Sequence, residues 1–169
     1  KNVYLLTHKN AIYKSTDGLN WQALKNFGNR SAFWGYLASP GDRTALAVFG
    51  DRLYTSILAK ISNSTFEGQV WRATDANGTD WVRAFSYSGQ IVNGHPREQL
   101  PGKLLSYDNK LYSSTYRSFT DGNSTAFKIW STTDGVNWEV AGQDGFGEPG
   151  NGSITELEVY NGELYAGVR

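Results

Sequence analysis

The chain has 169 residues, with no Cys, no Met, 19 Gly and 24 aromatics, and its sixteen basic residues balance sixteen acidic ones. Without Cys there is no disulfide framework, thiolate metal site or Cys nucleophile. A neutral balance gives no basis for electrostatic capture of nucleic acid or of an anionic membrane, and no apolar run reaches the 18 residues of a spanning helix. The missing Met marks the chain as a processed product or a piece of a longer one. Abundant Gly and aromatic residues with little helical periodicity predict an all-β protein rich in turns.

In chain order, the first feature is a segment that comes back. Ile12-Tyr13-Lys14-Ser15-Thr16-Asp17-Gly18-Leu19-Asn20-Trp21 is followed by Val70-Trp71-Arg72-Ala73-Thr74-Asp75, running on to Trp81. It recurs again as Ile129-Trp130-Ser131-Thr132-Thr133-Asp134-Gly135-Val136-Asn137-Trp138, so Ile12, Val70 and Ile129 lie 58 and 59 residues apart. A second feature alternates with it. Phe49-Gly50-Asp51-Arg52-Leu53-Tyr54, Tyr107-Asp108-Asn109-Lys110-Leu111-Tyr112 and Tyr160-Asn161-Gly162-Glu163-Leu164-Tyr165 are apolar runs broken by two turn residues. Asn, Asp and Gly tolerate the positive φ that two-residue hairpin turns demand. Each period therefore holds two hairpins, and four strands recurring every 50 to 60 residues are the pattern of a β-propeller blade.

The predicted order is the second strand of a blade over residues 2–7 and a third and fourth strand over about 11–24. A full blade follows over about 44–85, another over about 103–141, and two first strands over about 155–168. The corresponding units are 1–43, 44–101, 102–154 and 155–169 within one partial propeller. That makes about three blades, where closed rings usually have four to eight. Either these are part of a larger ring completed by further blades of the same parent chain, or several copies close a ring together. A second strand at both ends favours the first.

Ser15–Trp21 and Thr132–Trp138 resemble the Asp-box of sialidase-like (BNR) propellers, although the familiar box has one more residue between Asp and Gly. The copy from Ala73 to Trp81 is two residues longer and lacks the Gly directly after Asp75. A closer resemblance is to a repeat of large secreted or surface proteins of prokaryotes. There a strand pair ending in such a box is followed by an Asp-Gly-Phe-Gly loop and an Asn-Gly-x-Leu-Tyr-Ala-Gly hairpin, as in Asp144–Glu148 and Tyr160–Gly167 here. The resemblance implies the propeller fold for nearly the whole chain and says little about function, because propellers host unrelated activities.

It also implies structural positions: Asp17, Asp75 and Asp134 accepting backbone N–H groups within their own turns, and Trp21, Trp81 and Trp138 packing between strands or blades. Trp71 and Trp130 are expected to pack between blades as well. An active sialidase would need three Arg from distant blades, a Tyr nucleophile with a Glu partner, an Asp acid and an Arg-Ile-Pro stretch, and that stretch is missing here. Asp144 with Glu148, and Asp42 with Asp51, are the nearest carboxylate pairs for other glycosidase chemistry; solvated surface carboxylates explain them equally. His8 and His95 show no metal-ligand spacing, with His95 in a turn-like loop. No catalytic residue, metal ligand or cofactor is expected.

Asn-x-Ser/Thr occurs at Asn29, Asn63, Asn77, Asn123 and Asn151, five times where composition alone predicts about two. Asn63 and Asn123 occupy the same second-to-third-strand connection of successive blades; Asn29 and Asn151 fall in connections between blades. These four share one face of the disc and Asn77 lies on the other. The sequence is thus read as a non-catalytic extracellular or cell-surface propeller, a glycoprotein serving structure, adhesion or recognition of a protein or glycan partner. The alternative is a sialidase-like hydrolase or lectin whose site lies partly in other blades. Peptide mass spectrometry of native material is expected to find glycan on these Asn residues; bare Asn at all five would remove the support for secretion.

Overall fold

The computed structural model describes residues 2–7, 10–28, 45–62, 65–92, 95–96, 100–116, 119–120, 123–124 and 126–169. Every strand pair in it is antiparallel. The first sheet consists of β1 (Val3–Leu6), β2 (Ala11–Ser15) and β3 (Gln22–Asn26), in that order. The second runs in chain order through β4 (Ala45–Phe49), β5 (Arg52–Lys60), β6 (Thr65–Ala73), β7 (Trp81–Val92) and β8 (His95–Pro96). The third pairs β9 (Leu100–Tyr107) and β10 (Lys110–Tyr116) with β13 (Ile129–Thr132) and β14 (Glu139–Val140). A small hairpin, β11 (Phe119–Thr120) with β12 (Asn123–Ser124), intervenes between β10 and β13. The fourth is the pair β15 (Ile154–Tyr160) and β16 (Glu163–Val168). Among the described residues the one helical element is a short 3-10 turn, Asp144–Gly147.

The turn chemistry read from the sequence produces these hairpins. Phe49 pairs with Arg52, Tyr107 with Lys110 and Tyr160 with Glu163, leaving two-residue loops. In the middle loop Asp108 and Asn109 take φ of 46° and 56°, and in the last Asn161 takes 51°. Such left-handed residues match the twist of the flanking strands.

The structure differs from the sequence expectation at the end of the second sheet. The full blade is expected to end at about residue 85, yet β7 continues to Val92, because pairing with β6 resumes after a register shift and Thr65 meets Val92. His95, expected in a turn-like loop, pairs with Val92 instead.

Each sheet presents one face to the next, and the apolar cores lie in these junctions. Between the first and second sheets, Ile12, Leu53 and Ala73 are buried with Tyr4, Leu6, Leu24 and Trp81 packed around them. Between the second and third, Tyr54, Val70, Tyr87, Leu104 and Leu111 form the buried cluster. Phe127, Ile154 and Leu157 close the third against the fourth.

Aromatic rings bridge the first two junctions in the same way. Phe27, just after β3, has its ring centroid 5.2 Å from Trp71 and 5.5 Å from Trp81. Phe85 of β7 lies 4.9 Å from Trp130 and 5.3 Å from Trp138, stacked on the latter at 22°. A Phe following the Asp-bearing turn of one sheet thus sits against two Trp of the next. Trp71, Trp81, Trp130 and Trp138 pack between sheets. Trp21 does not: it is 41% exposed.

Buried hydroxyls complete the junctions. Thr55, Ser56, Ser113, Ser114 and Thr115 have no exposed surface. They serve backbone groups of the neighbouring strand or sheet: Ser56 Oγ donates to the Gly102 carbonyl at 3.0 Å, and Lys103 N donates to Ser114 Oγ at 2.9 Å. Small hydroxyls fit here because the strands approach closely; a Cβ on Gly102 would come within 2.6 Å of Ser114 Oγ. Tyr87 shares a short hydrogen bond with Ser113 Oγ, and its burial pushes the phenol upward.

Replacing Phe85 with Ala is expected to cost about 3 kcal/mol through lost burial and a residual cavity. The melting temperature should drop by roughly 6–12 °C. Val136→Ala, at a half-exposed position on the same junction's turn, should leave it nearly unchanged.

Candidate functional site

The Asp residues singled out by the sequence lie in the turns joining β2 to β3, β6 to β7 and β13 to β14. In the first turn Asp17 Oδ1 accepts N–H bonds from Leu19 and Asn20, both at 2.8 Å. Its Oδ2 accepts the Asn20 amide at 2.8 Å, and Ser15 Oγ donates to Oδ1 at 3.0 Å. Ser15 Oγ in turn accepts from Gly18 N at 2.8 Å. The third turn repeats this bond for bond. Asp134 Oδ1 accepts from Val136 N and Asn137 N at 2.8 Å, Oδ2 accepts the Asn137 amide at 2.7 Å, and Thr132 replaces Ser15. The Ser/Thr-x-Asp-Gly-x-Asn spacing is therefore a closed circuit, in which each polar side chain finds its partner inside the turn. Backbone and amide donors from Asn20 and Leu19 hold the Asp17 carboxyl well below the usual carboxylate range; those from Asn137 and Val136 do the same for Asp134.

The second turn reaches the same end by another route. Asp75 Oδ1 accepts from Thr79 N at 2.9 Å and Asp80 N at 3.0 Å, and Oδ2 accepts from Thr79 Oγ1 at 2.8 Å. The Asp80 N–H and the Thr79 hydroxyl lower its pKa. Asp80 stands where Asn stands in the other copies, and the Thr79 hydroxyl takes the place of the Asn amide on Oδ2. Trp81 Nε1 donates to the Gly78 carbonyl at 2.8 Å, which ties the ring to the turn.

The longer turn changes what lies beside it. At the second-to-third junction, Tyr54 fills the space under Gly135 so closely that a Cβ there would collide with its hydroxyl. At the first-to-second junction the equivalent Tyr4 instead lines a cleft of about 230 Å³ with Asn2, Asp51, Arg52 and Asp75. The cleft's charges are already paired. Arg52 Nε meets Asp51 Oδ1 at 3.1 Å, and the guanidinium also donates to the Thr74 carbonyl.

Other charged groups are similarly engaged. Glu67 Oε2 accepts from Gln69 Nε2 at 2.6 Å and faces Arg83 at 3.5 Å, while Gln69 Oε1 accepts from Trp71 Nε1 at 2.8 Å. Lys103 of β9 faces Glu156 of β15 at 3.5 Å. Asp144 accepts from Lys128 Nζ at 2.5 Å, whereas for Glu148 the bond within its loop is made by its backbone N–H to the Gly145 carbonyl. Among the described residues there is no group of three or more His, Asp or Glu able to hold a metal ion, and no helix long and apolar enough to cross a membrane.

The sequon residues are dispersed. Asn77 is exposed in the second Asp turn. Asn151 is half-buried between β14 and β15, and its amide donates to the Gly145 carbonyl at 2.9 Å. Asn123 begins β12. Asn29 and Asn63 lie outside the described residues, as do His8 and Asp42.

Three features escaped the sequence reading. Phe27 and Phe85 follow their turn Trp by six and four residues, so spacing did not align them. The Tyr that follows Leu in each two-residue hairpin was visible as a repeat, but not as the group that meets the next sheet's turn. Asn10, with φ of 59°, is buried and donates to the Leu58 carbonyl at 3.2 Å, linking the first sheet to the second.

No family model matches the sequence, and no curated protein matches it. Solved structures do. An α-L-arabinanase from Penicillium chrysogenum, complexed with arabinobiose, is 16% identical with a TM-score of 0.54 over 88% of this chain and 43% of that chain. A glycoside hydrolase family 32 β-fructofuranosidase from Bombyx mori, complexed with sucrose, is 14% identical with a TM-score of 0.52 over 91% of this chain and 33% of that chain. This chain thus spans less than half the length of either protein. At such identities the likeness shows the fold alone, and the fold is the β-propeller: antiparallel blades stacked face to face in an open array.

The lowered Asp pKa values fix the sign of a pH effect. A carboxyl with a depressed folded-state pKa contributes stability that is complete above its unfolded value of about 3.9 and is lost as pH falls below it. Asp134→Asn should therefore lower the melting temperature at pH 7, and the gap to the parent protein should narrow steadily between about pH 5 and pH 2. A gap that stays constant with pH would contradict the hydrogen-bonded carboxylate as its source.

Proposed function

We propose that this chain is a non-catalytic propeller module of the Asp-box repeat type, acting outside the cell in structure, adhesion or recognition of a protein or glycan. One observation carries the reading. The carboxylates that the repeat places at fixed positions, Asp17, Asp75 and Asp134, have their oxygens engaged inside their own turns. A general acid or nucleophile needs a carboxyl presented to substrate, often with a raised pKa; these are held low by the donors of their own turns. In this reading Asp17, Asp75 and Asp134 are structural fasteners, Trp81 and Trp138 pack at the junctions beside their turns, and Trp21 is the exposed equivalent in the first turn.

The extracellular part rests on the sequons. Asn77 is exposed, and the Asn151 amide would keep one N–H for the Gly145 carbonyl after glycan attachment. The proposed units are 1–43, 44–101, 102–154 and 155–169, with further blades completing the ring.

A second reading is a glycan-active enzyme or lectin. It is favoured by the two similar propellers, one named as an arabinanase and the other as a β-fructofuranosidase. Hydrolysis assays with sialosides, arabino-oligosaccharides and sucrose separate the non-catalytic module from an enzyme. The proposed module hydrolyses none of them. Turnover of any, abolished by replacing a single carboxylate, would overturn the non-catalytic assignment.

A further inference from the structure

The two complete junctions define what a blade face expects from its neighbour, and among the described residues the first sheet carries the same face without that neighbour. The second sheet's face toward the first contains Leu53, Trp71 and Trp81; Leu53 is 7% exposed and both Trp rings lie against Phe27. By the repeat, Val3 stands where Leu53 stands, Tyr13 where Trp71 stands and Trp21 where Trp81 stands. Val3 is 49% exposed, Leu5 on the same face is 49% exposed, and Trp21 is 41% exposed. The opposite face of this sheet is the buried one, through Tyr4, Leu6 and Leu24.

A second, independent feature points to the same occupant. At the second-to-third junction the space beside Gly135 is filled by Tyr54 from the preceding sheet. Gly18 occupies the same turn position with the same backbone conformation, φ of 77° against 72°, and nothing lies within 4 Å of where its Cβ would be. The Asp turn is thus already shaped to receive a tyrosine that the described residues do not provide.

We infer that this outer face is the seat of one further blade of the same repeat, which presents a Phe after its last turn to Tyr13 and Trp21, and a second-strand Tyr to Gly18. The inference rests on the proposed larger ring. Continuity with the two existing junctions selects this occupant: both use a Phe from the preceding sheet, and one also uses the Tyr. A second copy of this chain suits the seat poorly. Its fourth sheet, β15 and β16, brings Tyr160 and Tyr165 on its free side but no strand carrying a Phe.

The test is residue-resolved tryptophan oxidation of the protein at its native length, beside the 169-residue chain, with the intact mass of each recorded. In the 169-residue chain Trp21 should oxidise faster than Trp81 and Trp138. In the native-length protein its rate should fall to theirs, and photo-crosslinking from a benzoylphenylalanine placed at Tyr13 should yield a peptide of another blade. Continued fast oxidation of Trp21 in a native-length protein that does contain further blades would overturn this seat while leaving the larger ring standing. A monomer of 169 residues with Trp21 still reactive would overturn both. Protection of Trp21 with crosslinks only to a second copy would overturn the choice of occupant.

Discussion

The structure depends on one recurring contact: a phenylalanine leaving one sheet and lodging against two tryptophans of the next. Phe27 meets Trp71 and Trp81, and Phe85 meets Trp130 and Trp138, at centroid separations between 4.9 and 5.5 Å. Sheets of two to five strands have little stability alone. Here each gains it by burying a face against its neighbour. The aromatic contact adds to that burial, and its edge or offset geometry contributes beyond what area alone provides. Stability in such a stack is set by junctions more than by the sheets themselves, as in other repeat architectures.

The Asp turns serve this contact at a distance. One Trp of each pair follows its turn directly, so the turn's geometry decides where the indole enters the junction. In the second turn the link is explicit, because Trp81 Nε1 is bonded to the Gly78 carbonyl. A carboxylate accepting two or three N–H bonds is an economical way to fix six or seven residues without a core of their own. It also explains why two extra residues in that turn are tolerated. The carboxylate finds equivalent donors in Thr79 and Asp80, and the displaced volume becomes a cleft beside Tyr4 instead of a break in the junction.

Much of this was legible in the sequence because turns and short-range motifs are local. Asp108-Asn109 and Asn161-Gly162 announce positive φ, and the two interleaved motifs announce a four-stranded unit. Long-range partners were not legible. Phe27 and Phe85 sit at different offsets from their turn Trp, and the strand pairs concerned carry register shifts, between Ile12 and Tyr13 and between Val70 and Trp71. Such bulges re-aim a side chain without leaving a sequence mark. The continuation of β7 past residue 85 was hidden for a related reason: its pairing with β6 passes through two register shifts. The exposure of Trp21 could not be read at all, since its motif matches that of the packed Trp138. What separates them is the neighbouring sheet, not the local sequence.

The central claim is that these aromatic contacts couple neighbouring blades, and a double-mutant cycle between Phe85 and Trp138 tests it most directly. Phe85→Leu, Trp138→Leu and the double variant would be compared by equilibrium unfolding in denaturant. The account predicts a coupling energy of about 0.5–1.5 kcal/mol beyond the sum of the single losses, as for contacting aromatic pairs. Strict additivity of the two substitutions would contradict it.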